Sequence, residues 1–306
     1  MIKKQVINKI FFLLFTLTLF SKASFAASTP NEITFSEDGI YVTKISSQNL
    51  EKLFLKYHYK DYIYMPEWKY PPIFLKQIPD DFDKISDQNK RNNLFLRLMI
   101  PLVLKVNNEI SEERYELLNI LEYFEINKDF TEKNKKFLEE KAKKYDVFTR
   151  LQGLRRYQLL SERLNEKIDI VSPSILIALA AIETNWGTSE SLKKANSLYK
   201  EKVWFSDEGL AVDDPTDKSY KIKIYKNLYD SIYDYALKMN SNKDYEDFRF
   251  NRQLLKKRDK EQNGRYLANN LMLASGLKNY AGLLDYTITF YELTNIDDVS
   301  LGFVKK

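Results

Sequence analysis

The stretch "SPSILIALAAIETNWG", residues 172–187, constrains the fold more than any other part of the chain. No residue from Ile175 to Ile182 is polar, so a helix here is apolar on every face and has to be surrounded by other elements. Ser172 suits the N-cap, Pro173 the first helical position and Gly187 the C-terminal stop. Wrapping such a helix takes several further elements, which 306 residues with 44% hydrophobic and 30% charged content can supply. One carboxylate, Glu183, closes the apolar run and asks for a reason.

On that helix the neighbours of Glu183 at i−4, i−3, i+3 and i+4 are Leu179, Ala180, Trp186 and Gly187, none of which can pair with a carboxylate. Desolvation by this set and the negative end of the helix both favour the protonated acid. An acid that keeps its proton is what glycoside hydrolysis needs at the leaving oxygen, and Trp186 offers a flat apolar face of the sort sugars stack on. Spacing alone leaves the alternative that Glu183 frays into solvent at the helix end.

Composition narrows the chemistry. Cysteine is absent, so there is no disulfide framework and no thiolate zinc site. His58 is the only histidine and sits in "KYHYKDYIY" (56–64), where it reads as a surface or packing residue. A histidine-rich metal centre is excluded, and a serine or cysteine hydrolase with a histidine base is disfavoured. The chemistry then runs on carboxylates, tyrosines or hydroxyls, with no metal or cofactor expected. Residues 1–26 combine Lys3, Lys4 and Lys9, an apolar run over 10–20, and small residues through Ser24 and Ala26. This is the pattern of a secretory signal peptide, so a periplasmic or envelope location is expected, with an uncleaved anchor as the alternative. The segment holds four lysines and no acid, and its removal lowers the formal charge from +5 to +1. Nucleic acid is therefore not an expected partner.

Along the rest of the chain, residues 27–84 read as an extension ending in the proline-rich "MPEWKYPPIFLKQIPDDF" (65–82), an extended connector that wraps against the body. Residues 85–168 read as an N-terminal helical part: an apolar helix over 92–110 kinked at Pro101, another starting at Ser111, and a charged amphipathic stretch from Thr131. Residues 169–296 hold the buried helix, a two- or three-stranded β subdomain within 197–226, and further helix over 227–293; residues 297–306 read as a tail. The fold class expected is α+β, mainly α.

The residues around Glu183 also carry a family resemblance. "AAIETNWGTSESLKKANSLY" (180–199) resembles the catalytic segment of the Bax-type glucosaminidases, related to glycoside hydrolase family 73 and the flagellar peptidoglycan hydrolases. In these, Ala-x-x-Glu-Ser-x-Trp-Gly is followed by Thr-Ser and an Asn-x-Leu-Phe-Gly element. "YPPIFLKQIPDDF", "MIPLVLKVNNEISEERYELL" and "KSYKIKIYKNLYDSIYDYALKMNSNKDYEDFR" extend the likeness over roughly residues 70–294. The resemblance implies a lysozyme-like domain with a central buried helix, a small β-hairpin lobe over a cleft, and cleavage of β-1,4 bonds after N-acetylglucosamine in peptidoglycan. It implies Glu183 as the catalytic acid and Tyr280, in "GLKNYAGLLDY", as the tyrosine of the family's "GYATD" element, with Trp186, Asn196 and Tyr199 lining the cleft as substrate-binding residues. For Tyr280 the alternative is a packing tyrosine in the cleft wall.

The chain departs from the family pattern in three places. Thr184 replaces the usual Ser. Tyr199-Lys200 replaces Phe-Gly, which puts the backbone turn or close sugar approach there in question. The β-lobe carboxylate of the flagellar relatives has no single counterpart, because "SDEGLAVDDPTDK" (206–218) offers Asp207, Glu208, Asp213, Asp214 and Asp217. By position Glu208 comes first and Asp214 second, each with the alternative of a solvated turn residue. The function expected is that of a peptidoglycan hydrolase of the endo-β-N-acetylglucosaminidase type, with glycan strands as partner and an envelope protein as a further, unidentified one. The alternatives are a lytic transglycosylase and a non-catalytic peptidoglycan-binding envelope protein.

Overall fold

A helix without a polar face is stable only when other elements cover it all round, and the computed structural model of the chain meets that requirement. The structure describes residues 31–63, 65–212, 219–258, 264–268, 271 and 280–303, with backbone only at Pro66 and Tyr280. The signal-like segment and the acids Asp213, Asp214 and Asp217 lie outside the described residues.

The chain enters through an antiparallel hairpin, β1 (Glu32–Ser36) and β2 (Gly39–Lys44). Helix α1 (Ser47–Lys56) follows, with the Ser46 hydroxyl accepting from the Asn49 N–H at 3.3 Å as its N-cap. Next come β3 (Lys69–Tyr70) and β4 (Ile73–Leu75). Strand β4 lies parallel to β2, Ile40 opposite Ile73 and Val42 opposite Leu75, and all four are buried. The residues expected to form a weakly patterned extension and a connector thus build a three-stranded sheet in the order β1-β2-β4. Ile73, Phe74 and Leu75 are too apolar to stay in water, and pairing with β2 buries them without leaving their backbone polar groups unmet.

Helix α2 (Gln88–Asn127) is one element of 40 residues where two were expected. Asp87 caps it by accepting from the Lys90 N–H at 3.1 Å, and Pro101 lies inside it without ending it. Ser111 starts no new helix, because nothing between Leu102 and Asn127 is Gly or Pro and the surrounding Glu, Arg and Leu residues are good helix formers. Helices α3 (Glu132–Lys144), capped at Thr131 as expected, and α4 (Gly153–Lys167) form a pair beside it.

The central helix α5 (Pro173–Glu183) is buried from Pro173 to Ala181 and packs against α2. Helix α6 (Glu190–Ala195) leads to a small antiparallel sheet of β5 (Lys202–Trp204), β6 (Leu210–Ala211) and β7 (Tyr220–Ile222) in the order β5-β7-β6. Trp204 stands opposite Tyr220, and Lys202 opposite Ile222. This is the β subdomain read from the alternation in the sequence. Helices α7 (Leu228–Ser241), α8 (Glu246–Lys257), α9 (Gly264–Ala268) and α10 (Tyr280–Phe290) complete the wrapping, α9 and α10 lying directly on α5. The fold is therefore mainly α, with a central buried helix and a small β lobe.

The segment read as a tail packs against the core, with Val299 and Leu301 partly buried on it. Strand β8 (Ser300–Leu301) runs parallel to β3, with Lys69 opposite Ser300. Asp297 closes the N-terminus of α5: its carboxylate accepts from the Ser174 N–H at 2.8 Å, the Ser174 hydroxyl at 2.8 Å and the Gly264 N–H at 3.1 Å. Ser172 stands at the N-cap as expected, but its side chain makes no capping bond, and the carboxylate from the other end of the domain takes that role. Burial pushes the Asp297 carboxyl up to about 6 against these three hydrogen bonds. Just before α5, buried Asp169 is paired with Lys256 at 2.6 Å, Arg252 at 3.5 Å and Arg114 at 3.7 Å. Desolvation alone raises a buried carboxyl, but these three cations hold Asp169 below the usual range. Among the described residues no helix is long and apolar enough to cross a membrane.

Candidate active site

The apolar run ends at Glu183, and the next four residues reverse the chain. Thr184 is fully buried, and its hydroxyl donates to the Ala180 carbonyl at 2.6 Å while accepting from the Gly187 N–H at 3.0 Å. One side chain thereby satisfies a helix-end carbonyl and a turn amide together. The serine usual in the resembling family carries the same hydroxyl; the threonine here adds a methyl in a buried place.

Asn185, Trp186 and Gly187 then take positive φ of 47°, 56° and 84° in succession. For a bulky side chain such as Trp this costs about 1–2 kcal/mol. The Trp186 N–H returns to the Ala181 carbonyl at 2.7 Å, and the Thr188 N–H to Thr184 at 3.0 Å, which hold the turn. Gly187 is required twice, by its φ and by its surroundings. A Cβ there would come within 2.7 Å of the Phe82 ring and 2.9 Å of both Ile78 and the Phe95 ring. Trp186 is half-buried, tilted against Tyr291 at 4.4 Å between ring centroids and edge-on to Phe95 at 6.1 Å. Tyr291 is itself fixed to α2, its hydroxyl accepting from Asn92 at 2.7 Å.

Glu183 emerges from this rigid base with its side chain 23% exposed. The expectation of an acid with no cation beside it is corrected: the Lys200 ammonium lies 3.6 Å from Glu183 Oε2. Helix neighbours cannot pair with Glu183, as its spacing indicated, but the loop entering the β lobe can. That loop is the Tyr199-Lys200 element that departs from Phe-Gly. Lys200 takes φ of 50°, so the left-handed turn a glycine would make is kept, at a cost a glycine would not incur.

Both flanks of Lys200 are fixed. The Tyr199 ring is 6% exposed, stacks on Tyr235 with centroids 4.1 Å apart, and its hydroxyl donates to the Leu176 carbonyl of α5 at 3.2 Å. On the other side Glu201 pairs with Lys238 of α7 at 2.8 Å. A half-exposed pair such as Lys200–Glu183 contributes about 0–1 kcal/mol, which does not offset the backbone cost. The arrangement is imposed by the neighbours and not by the pair.

Asn196 closes α6 in the left-handed conformation, φ 50°, and its amide donates to the Tyr225 carbonyl at 3.2 Å, joining α6 to the exit of the β lobe. Tyr199 is a core residue linking α5 and α7, as described above. Asp207 and Glu208 are exposed in the turn between β5 and β6, where the Glu208 N–H donates to the Ser206 hydroxyl at 3.1 Å and Lys221 donates to the Asp207 carbonyl at 2.7 Å. Tyr280 opens α10, but its side chain, like all of Asp214, lies outside the described residues. His58 is exposed, as its sequence context indicated. Lys200, Tyr291 and Asp297 were not singled out from the sequence as site or capping residues. For Lys200 the signal is in the sequence: a lysine where the family pattern has glycine brings a cation as well as a change in the turn.

Known proteins are similar to the chain over this region. Residues 158–293 match the sequence model of the glucosaminidase family, described as mannosyl-glycoprotein endo-beta-N-acetylglucosaminidase. Over these residues the chain resembles a glucosaminidase domain. The chain is 27% identical over 184 residues to Protein bax of Escherichia coli (strain K12), a match covering 59% of this chain and 62% of that protein, so it spans less than two thirds of that relative. The catalytic domain of the autolysin Auto from Listeria monocytogenes aligns at 19% identity with a TM-score of 0.33, over 52% of this chain and 96% of that one. The resemblance to Bax-type glucosaminidases is thus borne out, and Glu183, its turn and the β lobe all fall within the matched residues.

Proposed function

We propose that the chain is an exported peptidoglycan hydrolase of the endo-β-N-acetylglucosaminidase type, cutting β-1,4 bonds of the cell-wall glycan with Glu183 as general acid. The observation that carries this reading is the placement of Glu183: one carboxylate ending a helix buried from Pro173 to Ala181, followed by a left-handed turn, with the Lys200 ammonium 3.6 Å away just ahead of the β lobe. In the mechanism Glu183 delivers its proton to the glycosidic oxygen as the bond to the anomeric carbon breaks and cation-like charge grows on the ring. A β-lobe carboxylate, with Glu208 ahead of Asp214, or a water ordered by Tyr280, answers that charge; a water oxygen then adds to the anomeric carbon and gives up one proton to a carboxylate, so that the proton spent by Glu183 is replaced. Trp186 braces the turn beneath the acid through Tyr291 and Phe95.

Glu183→Gln tests the assignment. The amide fills the same space without a transferable proton, so thermal unfolding should be nearly unchanged while turbidity clearance of purified peptidoglycan falls by about 10²–10⁴-fold. Unchanged lysis would remove Glu183 from the mechanism. Mass spectrometry of the wild-type digest decides the reaction type: reducing-end N-acetylglucosamine products are expected, and 1,6-anhydro-muramyl ends would replace hydrolysis with transglycosylation. Binding to peptidoglycan with no product at any pH would leave a glycan-binding protein.

A further inference from the structure

Lys200 is a cation in a backbone conformation that disfavours it. Tyr199 and Glu201 on either side are fixed to α5 and α7, so they set the left-handed φ of 50° whatever residue stands between them. The lysine side chain is 46% exposed, with its ammonium 3.6 Å from the Glu183 carboxylate. It therefore combines access from solvent with a position beside the proposed acid. Two residues on, at the start of β5, Lys202 is exposed with its ammonium 3.8 Å from the Tyr220 ring centroid, adding a second cation to this stretch.

We propose that Lys200 is a specificity-determining residue that selects glycans bearing carboxylate substituents over neutral glycans of the same backbone. The proposal rests on reading the Glu183 site as glycan-binding. Polymers of N-acetylhexosamine differ in this respect: one built of N-acetylglucosamine alone is uncharged, whereas one with lactyl-ether or peptide substituents carries carboxylates. An ammonium at the mouth of the site can form a charge-assisted hydrogen bond with the second kind only. A neutral sugar backbone gives it no anion to meet.

The test is equilibrium binding by calorimetry to the full chain, using two probes: an N-acetylglucosamine tetrasaccharide and a tetrasaccharide alternating N-acetylglucosamine with N-acetylmuramic acid, its lactyl carboxylates free. The wild type is expected to bind the acidic probe about tenfold more tightly, the scale of one charge-assisted bond, and the preference should shrink as salt is raised. Lys200→Gly removes the cation while suiting the positive φ, so it should fold at least as well and bring the two affinities together with the neutral one unchanged. Lys200→Arg should keep the preference. A preference that survives in Lys200→Gly, or an equal weakening of both probes, would overturn the proposal. Product analysis on the same samples separates it from the catalytic reading: preferential binding without cleavage leaves Lys200 standing and removes the hydrolase, while cleavage of both probes with equal affinity does the reverse. Binding to neither probe overturns both.

Discussion

At the scale of single residues, the site depends on a turn that tolerates almost no change. Gly187→Ala forces a Cβ at φ 84° to within 3 Å of Phe82, Ile78 and Phe95, three groups of the core that cannot retreat together. We expect a loss of about 2–4 kcal/mol in urea unfolding and a larger fall in activity than in bulk secondary structure, since the displaced turn carries Glu183. A loss under about 0.5 kcal/mol, the range of ordinary surface substitutions, would mean that the turn yields more readily than its packing indicates. Glu183 itself was legible from the sequence as an odd carboxylate at the end of an apolar run. Its cation was not, because Lys200 is 17 positions away and reaches it only through the loop geometry fixed by Tyr199 and Glu201.

At the scale of elements, α5 is the piece on which the others converge, and both its ends are organised from outside it. Its N-terminus receives a carboxylate from Asp297, whose ordinary value near 3.8 is raised by burial to about 6. Because the fold favours the protonated form, this contribution to stability is fully present below about pH 3.8 and is lost as the pH rises through about 6. Asp297→Asn keeps one acceptor oxygen and cannot ionise; the lost second acceptor is a cost that does not depend on pH, so the slope is the informative quantity. Relative to wild type, the variant's unfolding free energy should rise by on the order of 2 kcal/mol between pH 4 and pH 7. Parallel stability curves across that interval would show that Asp297 does not titrate there. The elements differ in how well they could be read. Thr131 and Pro173 began helices as their types indicate, whereas Pro101 and Ser111 suggested breaks that α2 does not have. A proline or serine biases the chain by no more than a few kcal/mol, and α2 recovers that through the burial of Leu94 to Leu104 along its first half.

At the scale of the whole molecule, residues 158–293, the part that matches the glucosaminidase model, do not complete their own core. Phe95 of α2, together with Ile78 and Phe82 ahead of it, forms the floor under Gly187 and Trp186. Strand β8, after the domain, pairs with β3, before it. A fragment of residues 158–306 should therefore lack a cooperative thermal transition in near-ultraviolet circular dichroism, while residues 31–306 should show a single one. A sharp transition in the fragment would mean that α5 finds enough cover without α2.

What the sequence determined by itself was the need for a wrapped helix, the acid at its end, and the alternation that marks the β lobe. These follow from local periodicity, in which each residue's type speaks for its own position. Only the tertiary structure decided that the N-terminal residues form a sheet, that Asp297 caps a helix more than 120 positions earlier, and that Lys200 faces Glu183. Such contacts join residues far apart in the chain, so their energies depend on where the backbone has already been placed, and no local pattern carries that information.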